Sequence, residues 1–242
     1  IFRSWFVDFD PVRAKAEGRE PEGMDAETGA RFPDRFVDSA LGPIPEGWEV
    51  RQVDDIAEIN RSSIRASDKW ETLRYIDISS TKAGEVLETT EYERGQEPSR
   101  ARRRLRHGDT ALSTVRPDRR SYFLALDPTS DLIASSGFAV LSPTSVPWSF
   151  LHAALTLETV FQTLGNLADG GAYPAIRPAV VGTLPVVVPN DSATLRAYHN
   201  ATAPLFELAA ANRIESRTLG ELRDTLLPEL LFGRISVNRC GN

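Results

Sequence analysis

Residues 205–231 read LFELAAANRIESRTLGELRDTLLPELL. Within them Leu205, Leu208, Asn212, Leu219, Leu222 and Leu226 return at separations of three, four and seven residues. That spacing predicts the apolar seam of a long helix packed on another long helix. At about 1.5 Å per residue, a helix from Leu205 to Leu230 is a rod of about 39 Å. A lone globular domain has little use for one, so the stretch is read as a spacer or assembly arm. The competing reading is a helix that folds back as ordinary core. Asn190, Asp191 and Ser192 supply N-cap chemistry for the closing helices. Pro204 is expected to end one helical piece or to kink the rod.

Outward from the arm, the chain alternates short β-like and helical pieces. Trp48 and Val50 alternate with polar residues as in a first strand, and residues 53–59 read as a short helix or strand. Arg74 to Ser79 (RYIDIS), Thr110 to Val115, Ser121 to Leu126 and Leu132 to Leu141 are predicted strands, the last interrupted at Ser135-Ser136-Gly137. Residues 81–106 read as irregular. Trp148 to Leu164 has helical periodicity, Gly170 to Pro174 is a loop, and Val180 to Val188 carries the last strand. The opening IFRSWFVDFDPV is expected to be a helical turn with an extended exit. The Gly-, Pro- and acid-rich residues 13–45 read as a linker or loosely packed wrap. The expected class is therefore α/β (α+β): a helix end at 1–12, a linker at 13–45, a mixed-sheet domain at 46–190, a coiled-coil-type helical arm at 191–235 and a tail at 236–242. Starting at Ile1 with structured residues, the chain is expected to be a fragment or a trimmed form.

Composition narrows the function. Of 242 residues, 41% are hydrophobic and 26% charged, the profile of a globular protein. No run of eighteen apolar residues is present, so no membrane span is expected. The single cysteine, Cys240, fits a reducing cytoplasm. With three scattered histidines it gives no thiolate zinc site, and no metal or cofactor is expected. Enzyme signatures are missing too. There is no glycine-rich methyl-donor loop with an Asn/Asp-Pro-Pro-Tyr-like turn, no Gly-x-Ser-x-Gly elbow, and none of the three lysines (Lys15, Lys69, Lys82) has a nuclease setting. No catalytic residue is expected. The net charge of −6 hides a local bias: from Arg94 to Arg120 there are nine arginines and three acids. A planar fork of donors suits phosphates and guanine edges. The plainer reading is a solvated charged loop.

The motifs PEGWEV, GDTALSTVRPDRR, ASSGFAVLSP, GGAYPAIRPAVVGTLPVVVP and RDTLLPELLFGRISV, in that order, resemble the specificity subunit of type I restriction-modification systems. The opening IFRSWFVDFDPVRAK is similar to the exit from the central conserved helix of such subunits. The resemblance covers essentially the whole chain. It implies a non-catalytic subunit in which two target-recognition domains each read half of a split double-stranded DNA sequence. Two helical regions pack as an antiparallel ruler and dock methyltransferase subunits, with restriction/translocase subunits joining indirectly. With one recognition domain here, the chain is either the C-terminal half or a half-subunit that pairs with a second copy.

The resemblance places the DNA face at Ser113 to Pro117: Arg116 on a guanine or phosphate, Thr114 on a backbone oxygen or thymine methyl. The alternative is that Arg116-Pro117 merely closes a turn. Arg102, Arg103, Arg104 and Arg106 are cast as phosphate contacts, with Arg119 and Arg120 in the same basic run. Ser135 and Ser136 meet DNA or belong to a core strand. Tyr173 and Arg177 reach DNA or anchor the last strand. Arg74, Lys82 and the segment Arg61 to Arg65 are weaker candidates. Leu205, Leu208, Asn212, Leu219, Leu222 and Leu226 form the helix–helix interface. The rival from another class is a protein-interaction scaffold that uses the arm for partners and the arginines for solubility.

Overall fold

The computed structural model describes residues 1–235; the expected tail at 236–242, with Cys240, lies outside the described residues. Packing divides the chain into two units, Ile1–Thr202 and Ala203–Asn242.

The first unit opens with helices α1 (Phe2–Phe6), α2 (Asp10–Ala16) and α3 (Ala26–Ala30). The expected extended exit is instead a second helix. Phe9 takes a left-handed corner (φ 55) and Pro11, in the first turn of α2, has a fixed φ that suits a helix start. Trp5, Phe6, Phe9 and Val12 are buried, and the Phe6 ring lies 5.0 Å from Phe150 and 5.2 Å from Tyr198. Residues 13–45 lie against this core as well. Phe32 is buried edge-on to Trp5, and the Lys15 ammonium donates to the carbonyls of Gly29, Ala30 and Phe32.

Strands β1 (Phe36–Val37), β2 (Ile44–Pro45) and β3 (Trp48–Gln52) follow, then α4 (Val53–Ile56) and β4 (Ala57–Ile59). The chain continues through β5 (Thr72–Ile76), β6 (Thr81–Lys82), β7 (Glu85–Val86), β8 (Thr90–Glu93) and β9 (Ala101–Arg104). Next come β10 (Asp109–Ser113), β11 (Tyr122–Ala125), β12 (Leu132–Ser135) and β13 (Phe138–Pro143). Helices α5 (Trp148–Leu155), α6 (Glu158–Asn166) and α7 (Pro178–Gly182), strand β14 (Pro185–Pro189) and helix α8 (Ser192–Leu231) complete it.

Two four-stranded sheets carry the domain. One, ordered β11-β10-β13-β4, is antiparallel throughout. The other, β8-β5-β12-β9, is mixed, with β5 and β12 parallel. β14 pairs antiparallel with β3, tying the end of the domain to its start. Residues 81–106, expected to be irregular, hold four strands. TEYE and ARRR lack apolar alternation, and β8 and β9 are strands because the buried β5 and β12 pair with them. Residues 178–182 form a helix with Pro178 in its first turn, so the last strand starts only at Pro185. α8 runs through Pro204 without ending: a proline forfeits one helical hydrogen bond while the bonds of neighbouring residues persist. Asp191 accepts from the backbone N–H of Ala193 and Thr194, as the cap chemistry required.

The interrupted strand at 132–141 is two strands in different sheets, joined by Ser136-Gly137. A Cβ at Gly137 would sit 2.5 Å from Ile78 Cδ1, so the crossing depends on a missing side chain. Gly137→Ala is expected to lower stability by about 1–2 kcal/mol through overpacking, and Ile78→Val, which removes Cδ1, should shrink that loss. Equal losses in both backgrounds, measured by denaturant unfolding, would show the contact to be unimportant.

In the second unit, the rest of α8 ends at Leu231. The chain then turns at Gly233 (φ 68), with Arg234 N–H bonded to Glu229 O at 2.8 Å. Leu205, Leu208, Leu219, Leu222 and Leu226 are exposed, and so is Asn212.

Candidate nucleic-acid interface

Strand direction gathers Thr114, Arg116, Ser135 and Ser136 at one end of the domain, while Arg74, Arg104 and Arg106 lie toward the other. Because β5 and β12 are parallel, their C-terminal ends lie together, beside the start of the antiparallel β9. There the chain turns through Ser136, whose N–H donates to Arg100 O at 2.7 Å. The Gly137 carbonyl accepts both the N–H and the hydroxyl of Thr114, each at 2.8 Å. Thr114 continues β10, so this one carbonyl fixes where the first sheet delivers Val115 and Arg116.

A second loop is stitched onto that end. Ile176 N–H donates to Thr114 O (2.9 Å) and Arg116 N–H to Pro174 O (2.7 Å). Ala175 and Asp169 bond to one another across the loop base (2.7 and 3.2 Å). Gly170 (φ +122) lies where an added Cβ would approach Tyr173 O to 3.0 Å, so glycine is needed for this closure. Arg116 is left-handed (φ 47, ψ 58). Its Nη2 donates to Ala172 O at 2.7 Å and its guanidinium carbon stands 4.4 Å over the Tyr173 ring, which is 71% exposed. Arg116 and Tyr173, expected separately, form one unit. Arg177 is exposed just before α7, and Arg119 is exposed in the 3-10 turn Pro117–Arg119. Arg120 lies 5.5 Å over the Phe161 ring, with Nε buried and unpartnered.

Thr114 (6% exposed) and Ser135 (0%) do not reach the surface. The Thr114 hydroxyl is held by Gly137. Ser135 Oγ accepts the Gly137 N–H at 3.2 Å and bonds the Tyr75 phenol. Both small hydroxyl residues serve the sheet crossing here. Ser136 is half-buried beside them.

The arginines of β9 divide. Arg104 pairs across the sheet with Ile133 and Arg103 with Ala134, which places the two on opposite faces. Arg104 makes an ion pair with Asp68 at 2.8 Å, and that guanidinium hydrogen bond holds the Asp68 carboxyl below its usual range. Arg103 bonds Ser63 Oγ at 3.2 Å, its Nε has no partner, and burial lowers its pKa. Arg102 and Arg106 are exposed. Residues 62–64 lie along the outer edge of β9, through Ile64 N–H to Arg102 O and Arg104 N–H to Ser62 O. Arg74 is occupied by Asp131 at 2.7 Å, which pulls that carboxyl down to about 2.

Sequence reasoning missed Asp77. Burial opposes its charge, but the Ser79 N–H (3.0 Å) and hydroxyl (2.7 Å), the Tyr75 hydroxyl (2.8 Å) and nearby Arg100 hold it below the usual carboxylate range. Burial pushes the Tyr75 phenol up to about 12, so it stays a donor. The signal was a lone acid at the end of the RYIDIS strand. Among the described residues no group of three or more His, Cys, Asp or Glu is placed to hold a metal, and no described helix is long and apolar enough to cross a membrane. The rim offers guanidinium donors and an aromatic face, a chemistry suited to phosphates and base edges.

No family model matches the sequence. Over nearly its whole length the chain is nevertheless similar to type I restriction enzyme specificity subunits. It is 24% identical to the HindI specificity subunit of Haemophilus influenzae over 97% of this chain and 60% of that protein. It is 19% identical to the MjaIX specificity subunit of Methanocaldococcus jannaschii over 98% of this chain and 52% of that one. A crystal structure of an HsdS subunit from Thermoanaerobacter tengcongensis superposes with a TM-score of 0.58 at 18% identity, covering 85% of this chain and 54% of that chain. The fold is shared; the chain spans little more than half the length of these proteins.

Thr114→Val keeps the shape and removes the hydroxyl given to Gly137. It is expected to cost about 1 kcal/mol in chemical denaturation; unchanged stability would mean that the hydroxyl is free to contact a ligand.

Proposed function

We propose that this chain is the DNA-reading part of a type I specificity subunit, recognising one half of a bipartite target and docking methyltransferase subunits through its helical arm. The observation that carries the reading is the rim where Arg116 is fixed over Tyr173, with exposed Arg119 bonded to the Arg116 carbonyl through its N–H and exposed Arg177 next to Ile176, which bonds Thr114. In this assignment Arg116 reads a base, while Arg102, Arg106, Arg119 and Arg177 hold phosphates and give affinity without sequence information. Arg104 and Arg74, tied to Asp68 and Asp131, maintain the fold. The chain performs recognition and its partners the chemistry. The proposed domains follow the same division: a helix end at 1–12, a linker or wrap at 13–45, the target-recognition domain at 46–190, the distal helical region at 191–235 and a tail at 236–242. The second half of the target is read by the other half of the subunit or by a second copy of this chain, and the assembly works in the cytoplasm on double-stranded DNA.

The exposed leucines of the second unit also suit a scaffold with no DNA role. Binding to random duplex DNA at two salt concentrations separates the two readings: a phosphate-gripping protein weakens steeply as salt rises, and flat or absent binding favours the scaffold. Arg116→Ala is expected to lower specific binding about tenfold with a nearly unchanged thermal midpoint; a large drop in midpoint would make the residue structural. Replacing Leu219 and Leu222 by glutamine is expected to abolish assembly with methyltransferase subunits or with a second copy while sparing the fold of residues 1–202. Complexes of unaltered size in gel filtration would refute the interface.

A further inference from the structure

We infer that Tyr173 is a positioning residue for Arg116, and that the pair reads a guanine from the major groove, so the half-site contains a G·C pair at that position. The inference rests on the DNA-reading assignment.

Four constraints converge on one side chain. The Arg116 backbone is left-handed, its N–H is bonded to Pro174 O at 2.7 Å, its Nη2 to Ala172 O at 2.7 Å, and its guanidinium carbon lies 4.4 Å over the Tyr173 ring. Phosphate binding asks for none of this, since an exposed arginine such as Arg102 neutralises a phosphate from many directions. A base edge has one direction, and an arginine already held in place loses less rotamer freedom on meeting it.

The donor inventory then selects the base. A guanidinium has two forked edges, Nε–Nη2 and Nη1–Nη2, and Nη2 contributes one N–H to each. Giving one Nη2 N–H to Ala172 occupies one edge and leaves the other with both donors. Two parallel donors match the O6 and N7 acceptors of guanine. Adenine offers an acceptor beside a donor, cytosine a donor, and thymine a single acceptor beside a methyl group. The Tyr173 ring carries the guanidinium by its π-face, so the face and not the hydroxyl should matter. The Gly170 closure puts the ring under the arginine before DNA arrives.

The test is selection of duplexes from a random library by the full chain, comparing wild type with Tyr173→Phe, Tyr173→Leu and Arg116→Ala, followed by replacement of each selected guanine with 7-deazaguanine. Wild type and Tyr173→Phe are expected to enrich the same G·C pair. Tyr173→Leu and Arg116→Ala should lose that preference about tenfold while keeping salt-sensitive binding to unselected duplex. A 7-deaza base at that position should weaken wild type and leave Arg116→Ala unaffected. Loss of all DNA binding by a Tyr173→Leu protein with a wild-type thermal midpoint would overturn the positioning role, as would an unchanged preference. A selected site without a G·C pair sensitive to Arg116→Ala overturns the guanine assignment alone. Wild-type protein that binds no duplex overturns the DNA-reading assignment itself.

Discussion

The domain depends on one close approach, where Gly137 passes under Ile78 and offers its carbonyl to Thr114. The chain leaves the mixed sheet at Ser135 and enters the antiparallel sheet at Phe138, so this turn joins the two sheets covalently. The two Thr114 hydrogen bonds tie the same carbonyl to the end of β10. A side chain at position 137 would collide with Ile78, and without the Thr114 bonds the end of β10 would lose its fixed position. Arg116, two residues on, inherits its place from this junction. The loop from Asp169 to Ile176 is registered on the same strand end and inherits it in turn. A binding group held to a fraction of an ångström has to stand on such a rigid element, and here the rigidity comes from a small residue and a buried hydroxyl.

Charge follows the same logic of placement. The protein is acidic overall, at −6, yet acids and arginines are separated by the strand order. In the mixed sheet, β8 with Glu91 and Glu93 forms one edge and β9 with Arg102 to Arg104 lies at the other, two strands between them. Three strand spacings amount to roughly 14 Å, beyond the screening length of about 8 Å at physiological salt. The edge acids therefore do little to cancel the field of the arginines. Where neutralisation occurs it is local and specific, as between Arg104 and Asp68. A count of arginines along the chain overstates the basic surface, because alternation along β9 sends Arg103 and Arg104 to opposite faces.

What the residues announced and what they concealed divide along the same lines. β3, β5, β10 and β11 showed themselves because apolar and β-branched residues in buried or half-buried strands leave a mark on the sequence. β8 and β9 did not, since TEYE and ARRR owe their strand form to neighbours far away in the chain. Pro204 reads in the sequence as an end or a kink because a proline costs a hydrogen bond wherever it sits, and the helix continues through it because the bonds of its neighbours persist. Arg116 and Tyr173 could each be singled out, but their pairing across 57 positions is a product of the fold. Thr114 and Ser135 are open to two readings because a hydroxyl looks the same in sequence whether it faces a ligand or a neighbouring main chain, and the structure places both in the sheet crossing. Asp77 stayed hidden for the reverse reason: one acid at a strand end carries no pattern.

The second unit poses a different physical problem. Leu205 and Leu219 are 56% and 58% exposed, and Leu208, Leu222 and Leu226 are exposed with them. A helix draws most of its stability from packing an apolar face, and here the face is present and bare. The seam has its own signature. Leu205, Asn212, Leu219 and Leu226 recur at a strict seven, and at the intervening seam position Leu208 and Leu222 alternate with Glu215 and Glu229. A seven-residue repeat favours a left-handed supercoil with a partner helix, and polar residues within it weaken the seam while restricting its register. For a helix whose proposed role is to hold a distance, that exchange is sensible. A slip along a uniform leucine stripe would cost little and would move whatever the helix positions, whereas Asn212 and the two glutamates penalise the slipped pairings.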